Sequence, residues 1–170
     1  MMKVRPARIE DADKIAYVHV ESWKTTYIGI VPEAYLASLS TEARTDSWRK
    51  QLGGETTLIF VVEDEAGIFG FVSGGALRDP IPGYDAELYA IYLRKQKQRE
   101  GAGRSLVRRL AEALQRKGYQ SLIAWVLEKN PSLGFYIRLR GAPVLTKEIQ
   151  IGGVQLTEIA LGWSDIADLQ

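Results

Sequence analysis

A glycine-rich segment that joins an apolar run to an amphipathic helix constrains this 170-residue chain more than any other feature. Ala86 to Leu93 is an apolar run with a single charge, a pattern typical of a central β-strand. A basic loop follows it, and from Gly101 to Lys117 the apolar residues recur at helical spacing. A buried strand needs neighbours in a sheet, and an amphipathic helix needs a core under its apolar face. The segment therefore predicts a sheet with helices packed on it.

The rest of the chain supplies enough strands and helices for one such sheet. Two hairpin turns, at Asp64 to Gly67 and around Gly152-Gly153, each join two β-rich runs. The predicted strands cover residues 3–7, 56–63, 68–77, 86–93, 121–127, 142–150 and 154–161. The predicted helices cover residues 11–28, 32–39, 40–52, 101–117 and 131–140. The sequence predicts a single domain over residues 1–170, an α/β fold whose mixed sheet is covered by helices.

Charge and composition exclude several classes of function. Basic residues number 22 and acidic residues 21, so the net charge of +1 creates no field that would recruit nucleic acid or a membrane. The absence of cysteine excludes disulfides and thiolate metal sites, and the single histidine, His19, argues against a multi-histidine metal site. No apolar run approaches the roughly 20 residues of a membrane helix, and the N-terminus does not have the pattern of a secretory signal. We expect a cytoplasmic protein that uses no metal.

The segment Gln98 to Gly103 places two glycines where the helix begins. Backbone N–H groups at a helix N-terminus lack intrahelical partners, and glycine lets phosphate oxygens approach them. The motif is not a P-loop, because no Gly-Lys-Ser/Thr follows it, and Leu106 occupies the third glycine position of a dinucleotide fingerprint. Five basic residues surround the same point: Arg94, Lys95, Lys97, Arg99 and Arg104. We expect a pyrophosphate group to bind here.

The chain resembles the GCN5-related N-acetyltransferases, whose hallmark after the fourth strand is Gln/Arg-x-x-Gly-x-Gly/Ala. Gln98 to Gly103 matches that motif in full, and Trp125 to Ser132, followed by Phe135-Tyr136 and Gly141, matches a second hallmark region. The predicted order of strands is also that of the family, so the resemblance covers nearly the whole chain. Lys95 is a departure, because many members carry proline in this loop. The resemblance implies an acyl-CoA N-acyltransferase fold with a mixed, mostly antiparallel sheet.

The resemblance also implies a binding site for acetyl-CoA. The backbone of Ile91, Tyr92 and Leu93 would pair with the pantetheine arm as with an added strand. Asn130 would hydrogen-bond the pantetheine or phosphate region, with Ser132 close by. Asn130 also fits the role of a helix cap, and the two roles are compatible. The residues assigned to cofactor binding around the pyrophosphate are Gln98, Arg99, Glu100, Gly101, Ala102, Gly103 and Arg104.

Two catalytic side chains follow from the same resemblance. Tyr136 matches the general acid that protonates the departing CoA thiolate; its alternative is a core aromatic residue on a short helix. Glu87 matches the general base of histone-modifying members; its alternative is a carboxylate at a strand end near solvent. Strand alternation predicts that Glu87, Tyr89, Ile91 and Leu93 share one face of the sheet. The Leu93 N–H would then stabilise the oxyanion of the tetrahedral intermediate.

The acceptor pocket carries no motif of its own. Candidates to line an amine site are Trp23, Tyr27 and Tyr84, although such aromatic residues are more often part of a core. Glu21 or Asp85 would attract the positive charge of the amine.

The sequence therefore predicts an enzyme that transfers an acetyl group from acetyl-CoA to a primary amine of a small molecule or a protein. The competing hypothesis is a catalytically inactive acyl-CoA-binding sensor or interaction module. The predicted partners include a second copy of the chain in a homodimer. Trp163 is interpreted as a structural residue, with a place at the dimer surface as its alternative.

Overall fold

A computed structural model describes residues 1–170, the whole chain, and contains seven strands and five α-helices. The strands are β1 Lys3–Pro6, β2 Leu58–Asp64, β3 Gly67–Ala76, β4 Ala86–Leu93, β5 Leu122–Leu127, β6 Ala142–Ile151 and β7 Val154–Trp163. The helices are α1 Ala12–Thr26, α2 Glu33–Ser38, α3 Thr41–Gly53, α4 Ala102–Arg116 and α5 Leu133–Arg138. Every predicted strand and helix is present, and no boundary differs from its prediction by more than two residues.

The seven strands form one mixed sheet in the order β1-β2-β3-β4-β5-β7-β6. All neighbouring strands are antiparallel except β4 and β5, which are parallel. That parallel contact is short, because only Glu87↔Ile123 and Leu88↔Ala124 pair before the two strands separate. The sheet therefore has a gap in its middle, between the C-terminal halves of β4 and β5.

Helices cover both faces of the sheet and bury its apolar side chains. On one face α4 inserts Leu106 and Leu110 into a core of 20 buried residues. On the other face α1 contributes Ile15 and α3 contributes Trp48 to a second core. Full burial of each of these side chains contributes roughly 1.5–3 kcal/mol to stability, which holds the helices against the sheet. None of the five helices combines the length and the apolar character that crossing a membrane requires.

Local side-chain and backbone chemistry explains where several helices begin and end. The Ser40 hydroxyl accepts a hydrogen bond from the Ala43 N–H and caps the start of α3. Gly118 ends α4 with a φ of +97°, a conformation that glycine adopts without steric cost. Three short 3₁₀ segments were not predicted: Ile9–Asp11, which overlaps the predicted first helix only at Asp11, Lys95–Lys97 and Ile166–Leu169.

A β-bulge interrupts β4 at the centre of the sheet. Pairing with β3 runs from Ser73↔Ala90 directly to Gly74↔Leu88, so Tyr89 is an extra residue on β4. An extra residue shifts the inward and outward alternation of every residue that follows it. The two halves of β4 therefore follow different alternation patterns.

The bulge overturns the prediction that Glu87, Tyr89, Ile91 and Leu93 share one face. Ile91 and Leu93 pack into the core under α4, whereas Tyr92 packs into the core under α1 and α3. Alternation counted from Leu88, which also packs under α4, puts Glu87 and Tyr89 on the same side as Tyr92. Glu87 is therefore directed to the face opposite Ile91 and Leu93.

Trp163 lies in the core, which confirms its interpretation as a structural residue and not the alternative at a dimer surface. It is buried, and its indole N–H donates a hydrogen bond of 2.8 Å to the Leu139 carbonyl. A Cβ at Gly141 would lie 2.8 Å from the same indole ring, so a larger residue at this position would clash with the tryptophan.

Candidate functional site

A cleft of about 170 Å³ opens where β4 and β5 separate. Backbone and side chains of both strands form its floor, and neighbouring elements close its sides. Side chains from α1, α5, β7 and two loops reach into it: Trp23, Tyr27, Arg78, Asn130, Tyr136 and Glu158. The predicted cofactor and catalytic residues that line the cleft are Ile91, Tyr92, Asn130, Ser132 and Tyr136; Glu87, Leu93 and residues 98–104 lie outside its lining.

Six consecutive backbone N–H groups, Arg99 to Arg104, donate to no acceptor in the protein. Ser105 is the first residue here whose N–H finds one, the Gly101 carbonyl at 3.1 Å. The backbone curls because Arg99 and Gly101 have φ values of +67° and +85°. Unpaired N–H groups at the positive end of a helix form a site for an anionic phosphate.

The basic side chains near this loop divide into two groups. Lys97 forms an ion pair of 2.7 Å with Asp64, and the Arg94 guanidinium lies 5.6 Å from the centre of the Tyr17 ring. These contacts hold the loop to β2 and α1. The exposed basic side chains here that form neither an ion pair nor an aromatic contact are Lys95, Arg99 and Arg104. Their charge is available to an anion at the start of α4.

The two glycines of the motif serve different purposes. Gly101 faces open space, so its positive φ alone requires glycine. A Cβ at Gly103 would lie 3.1 Å from the Phe135 ring and 3.4 Å from the Leu93 side chain. Gly103 therefore lets α4 approach α5 and β4, and it does not lie open toward a phosphate as the sequence analysis expected.

The backbone of β4 is only partly available on the side of the gap. Arg94 N–H donates to the Phe69 carbonyl of β3. In an antiparallel pair every second residue points its N–H and C=O to the same neighbouring strand, so the backbone groups of Tyr92 also point toward β3. The same alternation directs those of Ile91 and Leu93 toward the gap. The Leu93 carbonyl accepts hydrogen bonds from the Gln98 amide at 3.2 Å and from the Ser22 hydroxyl at 3.4 Å.

A hydrogen-bonded chain joins Asn130 to two tyrosines in the cleft. Asn130 Nδ2 donates to the Tyr27 hydroxyl at 3.1 Å, and that hydroxyl lies 3.3 Å from the Tyr92 hydroxyl. Asn130 Oδ1 accepts from the Ser132 N–H at 2.8 Å, just before α5 begins. Burial raises the pKa of Tyr27 and of Tyr92, so both keep their protons. Asn130 thus caps the approach to α5 and orients the two hydroxyls.

Tyr136 lines the cleft from α5 and is only 5% exposed. Its ring packs edge-on against Phe135 and Trp163. The hydroxyl forms no hydrogen bond within the protein and is not among its fully enclosed unpaired polar atoms. Burial, with a smaller effect of Tyr27, raises the pKa of the Tyr136 hydroxyl. It is a protonated donor whose partner must come from the cleft.

Glu87 is 2% exposed and is held by Arg78. Glu87 Oε1 accepts from the Arg78 backbone N–H at 3.2 Å, and Oε2 accepts from the Arg78 guanidinium through Nε at 3.0 Å and through an Nη atom. Both oxygens are thus engaged by one residue. The alternative of a strand-end carboxylate near solvent does not describe this environment.

The residues suggested for the acceptor side separate into two groups. Trp23 and Tyr27 line the cleft. Asp85 accepts hydrogen bonds from Gln120 and Ser121 and so fixes the start of β5. Tyr84 packs against the position of Gly162, and neither it nor Glu21 lines the cleft.

Sequence reasoning missed Arg78 and Glu158, which also line the cleft. The sequence does carry a signal for Glu158, because alternation along a strand puts it on the same face as Leu156 and Ala160. Leu156 packs into an apolar cluster and Ala160 is fully buried, so an acidic residue between them faces inward.

Comparison with known proteins gives consistent results for this fold and site. Residues 67–149 match the model of the FR47-like protein family. The chain is 45% identical over 172 residues to the uncharacterized N-acetyltransferase YuaI of Bacillus subtilis (strain 168). The match covers 100% of this chain and 97% of the relative. It is 26% identical over 143 residues to the spermidine N(1)-acetyltransferase of Thermoplasma acidophilum, covering 79% of this chain and 83% of the relative.

Solved structures share the fold at lower identity. The PaiA N-acetyltransferase of Thermoplasma acidophilum, solved in complex with coenzyme A, superposes with a TM-score of 0.68 at 22% identity. That match covers 94% of this chain and 98% of the other. The open edge of β4, the glycine loop before α4 and the full-length similarity to YuaI agree with one another, and this chain belongs to the GCN5-related N-acetyltransferase family.

Proposed function

We propose that this protein transfers an acetyl group from acetyl-CoA to a primary amine bound in the cleft between β4 and β5. The observation that carries the proposal is the open edge of β4 beside six unpaired N–H groups at the start of α4. An extended pantetheine arm would satisfy the first and a pyrophosphate the second. The orphaned backbone donors therefore fit the cofactor.

Each group of residues has a distinct part in holding the cofactor. The N–H groups of Arg99 to Arg104 would bind the pyrophosphate, and Gln98 would fix that loop through the Leu93 carbonyl. Ile91 would pair with the pantetheine arm through its backbone. When bound, acetyl-CoA supplies the thioester carbonyl that the amine attacks. The remaining assigned residues are Tyr92, Asn130 and Ser132, which line the cleft, and Leu93, whose backbone groups face the gap.

Tyr136 is the proposed general acid. Its hydroxyl has no protein partner, lines the cleft and keeps its proton at neutral pH because burial raises its pKa. It would donate that proton to the sulfur that leaves as the amide forms. The apolar surroundings also raise the basicity of a thiolate formed there, which favours the transfer.

The role of Glu87 as general base stays a prediction. Its carboxylate accepts all its hydrogen bonds from Arg78. A proton from the amine would reach Glu87 only through a water molecule or after Arg78 moves. A Glu87→Gln variant tests this role in the experiment described in the next subsection.

The acceptor is proposed to be a small molecule with a primary amine, or an amine of a protein. Support comes from the aromatic wall of Trp23 and Tyr27, which suits an amine attached to an apolar or cationic chain. The relative from Thermoplasma acidophilum is named for spermidine, so a polyamine is one acceptor to test. A cytoplasmic location and a homodimer belong to the same proposal; exposed Val144 and Leu145 on the edge strand β6 support the homodimer.

The test is amine-dependent release of free thiol from acetyl-CoA by the purified protein. The panel contains spermidine, tryptamine and a lysine-containing peptide, and each reaction is compared with one that lacks the amine. We expect at least one amine to accelerate thiol release and to be recovered with an added acetyl group. Binding of CoA by calorimetry without thiol release for any amine would instead favour the sensor hypothesis, and absence of both would reject the proposal.

A further inference from the structure

Glu158 carries a carboxylate that lines the cleft and accepts no hydrogen bond from the protein. It lies on β7 opposite Leu127 of β5, and its side chain is 19% exposed. The nearest cation is Lys147 Nζ, 3.8 Å from Oε1, which is beyond hydrogen-bonding distance. A largely buried carboxylate without a donor favours a ligand that brings an N–H group.

The charged groups around this carboxylate are largely paired with one another. Lys147 faces it from β6 and lies 3.9 Å from Asp79 as well. Arg78 and Glu87 face it as an ion pair from the loop after β3 and from β4, and Tyr27 faces it from the end of α1. Two cations thus stand against three carboxylates. Burial raises the pKa of this carboxyl, opposed by Lys147 and Arg78.

Glu158 and Glu87 differ in what they can offer to an amine. Arg78 occupies both oxygens of Glu87, and removing that carboxylate from its partner would leave a buried charge unpaired. Neither oxygen of Glu158 accepts a hydrogen bond from the protein, and its one ion-pair contact, with Lys147, is long at 3.8 Å. Trp125 lies beside it on the neighbouring strand, with Lys147 Nζ 4.1 Å from the centre of its ring. Lys147 therefore marks a position that already suits one ammonium group, between the Trp125 ring and Glu158.

We propose that Glu158 binds the acceptor's ammonium group and takes its first proton, an inference that rests on the proposed acetyl transfer to an amine in this cleft. The proton passes from the ammonium nitrogen to the Glu158 carboxylate and then to solvent. The nitrogen lone pair forms the C–N bond as the C–S bond breaks. Tyr136 gives its proton to the sulfur, and the second proton lost by the nitrogen restores the Tyr136 hydroxyl. The products are therefore the amide, CoA thiol and one proton in solution.

The experiment compares Glu158→Gln, Glu87→Gln and the wild type with the most active amine of the panel. Glu148→Gln is the matched control, because Glu148 lies on the same hairpin and its exposed carboxylate is outside the cleft. We expect Glu158→Gln to lower kcat/KM for the amine about 10²–10⁴-fold at neutral pH. The KM for acetyl-CoA and the melting temperature should match those of the control. The loss should shrink as the pH rises toward about 10.4, where a lysine-like amine deprotonates unaided.

A second acceptor separates proton removal from a structural effect. A fluorinated primary amine that is largely unprotonated at neutral pH does not need a base to become nucleophilic. Glu158→Gln should therefore lower its kcat/KM much less than that of the protonated amine. An equal loss for both acceptors would overturn the assignment of Glu158 as the group that takes the proton.

Each remaining outcome also decides the matter. A Glu158→Gln enzyme that behaves like Glu148→Gln would reject the role of Glu158 while leaving acetyl transfer established by the wild type. A pH-dependent loss in Glu87→Gln alone would assign the base to Glu87 and reject Glu158. A wild type that acetylates no amine would reject the proposed function, and the role of Glu158 with it.

Discussion

The hydroxyl of Tyr136, which lines the cleft, and the buried carboxylate of Glu87 lie in opposite environments. The hydroxyl lies among apolar rings and has no protein partner, whereas Arg78 engages both carboxylate oxygens. A group without a partner is free to donate to a ligand, and loss of that group removes no bond of the folded state. The hydrogen bonds between Glu87 and Arg78 contribute to the fold. Substitution of Glu87 would therefore change both the stability and the activity, and these two effects must be measured separately. Tyr136 is therefore the cleaner residue to substitute.

Tyr136→Phe removes the hydroxyl and keeps the ring that packs against Trp163. If the hydroxyl protonates the leaving thiolate, turnover should fall by about 10²–10⁴-fold, provided that chemistry limits the rate. CoA affinity should hold, and the melting temperature should change little because no intramolecular hydrogen bond is lost. Turnover, CoA affinity and melting temperature are measured on one preparation.

The control for this substitution is Tyr17→Phe, at an exposed ring on α1 outside the cleft. It removes the same hydroxyl from the surface and should leave all three measurements unchanged. Normal turnover of Tyr136→Phe with every accepted amine would show that another group protonates the sulfur.

At the scale of elements, the parts of the fold governed by local residues were predictable and those governed by distant pairing were not. Gly118 marks the end of α4 because its positive φ is a local requirement. The bulge at Tyr89 depends on how β4 meets β3, and an apolar run carries no mark of an extra residue. The position of Glu158 in the cleft likewise depends on the register of β7 with β5. Site residues on local motifs were therefore found, and those placed by register were missed.

The contact between α1 and α3 predicts a pH dependence of stability. His19 on α1 accepts a hydrogen bond of 3.2 Å from the Trp48 indole N–H on α3, and its ring stacks on Tyr92 at 5.3 Å. Burial, and then the positive charge of Arg44, lower the pKa of His19 to about 3. The unfolded chain, with a histidine pKa of about 6.5, binds the proton more readily below that pH. The free energy of unfolding should therefore fall by up to about 1.4 kcal/mol per pH unit as the pH drops from about 6.5 toward 3.

His19→Asn isolates this effect, because it leaves a hydrogen-bond acceptor near Trp48 and removes the titrating group. Urea unfolding of the wild type and the variant is compared at about pH 7 and about pH 5, above the range in which ordinary carboxyl groups titrate. The wild type should lose more stability on acidification than the variant. Equal losses in the two proteins would show that His19 does not bear the proton linkage.

At the scale of the whole molecule, the site draws on parts of the chain that are far apart in sequence. Trp23 comes from the first helix, Tyr136 from the fifth and Glu158 from the last strand. The sheet brings them together only because β7 inserts beside β5 while β4 and β5 separate after one short contact. The gap leaves backbone groups unpaired at the centre of the sheet. A ligand that fills it would complete the sheet as well as occupy the site.

Cofactor binding should therefore stabilise the whole fold. A ligand at 100 times its Kd that binds only the folded state raises the free energy of unfolding by about 2.7 kcal/mol. We expect CoA to give this increase in chemical denaturation at that concentration. Pantetheine at the same concentration should give a much smaller one, because it lacks the pyrophosphate that the N–H groups of Arg99 to Arg104 would bind. Equal stabilisation by the two ligands would mean that the loop before α4 does not hold the pyrophosphate, and that the strand edge alone accounts for binding.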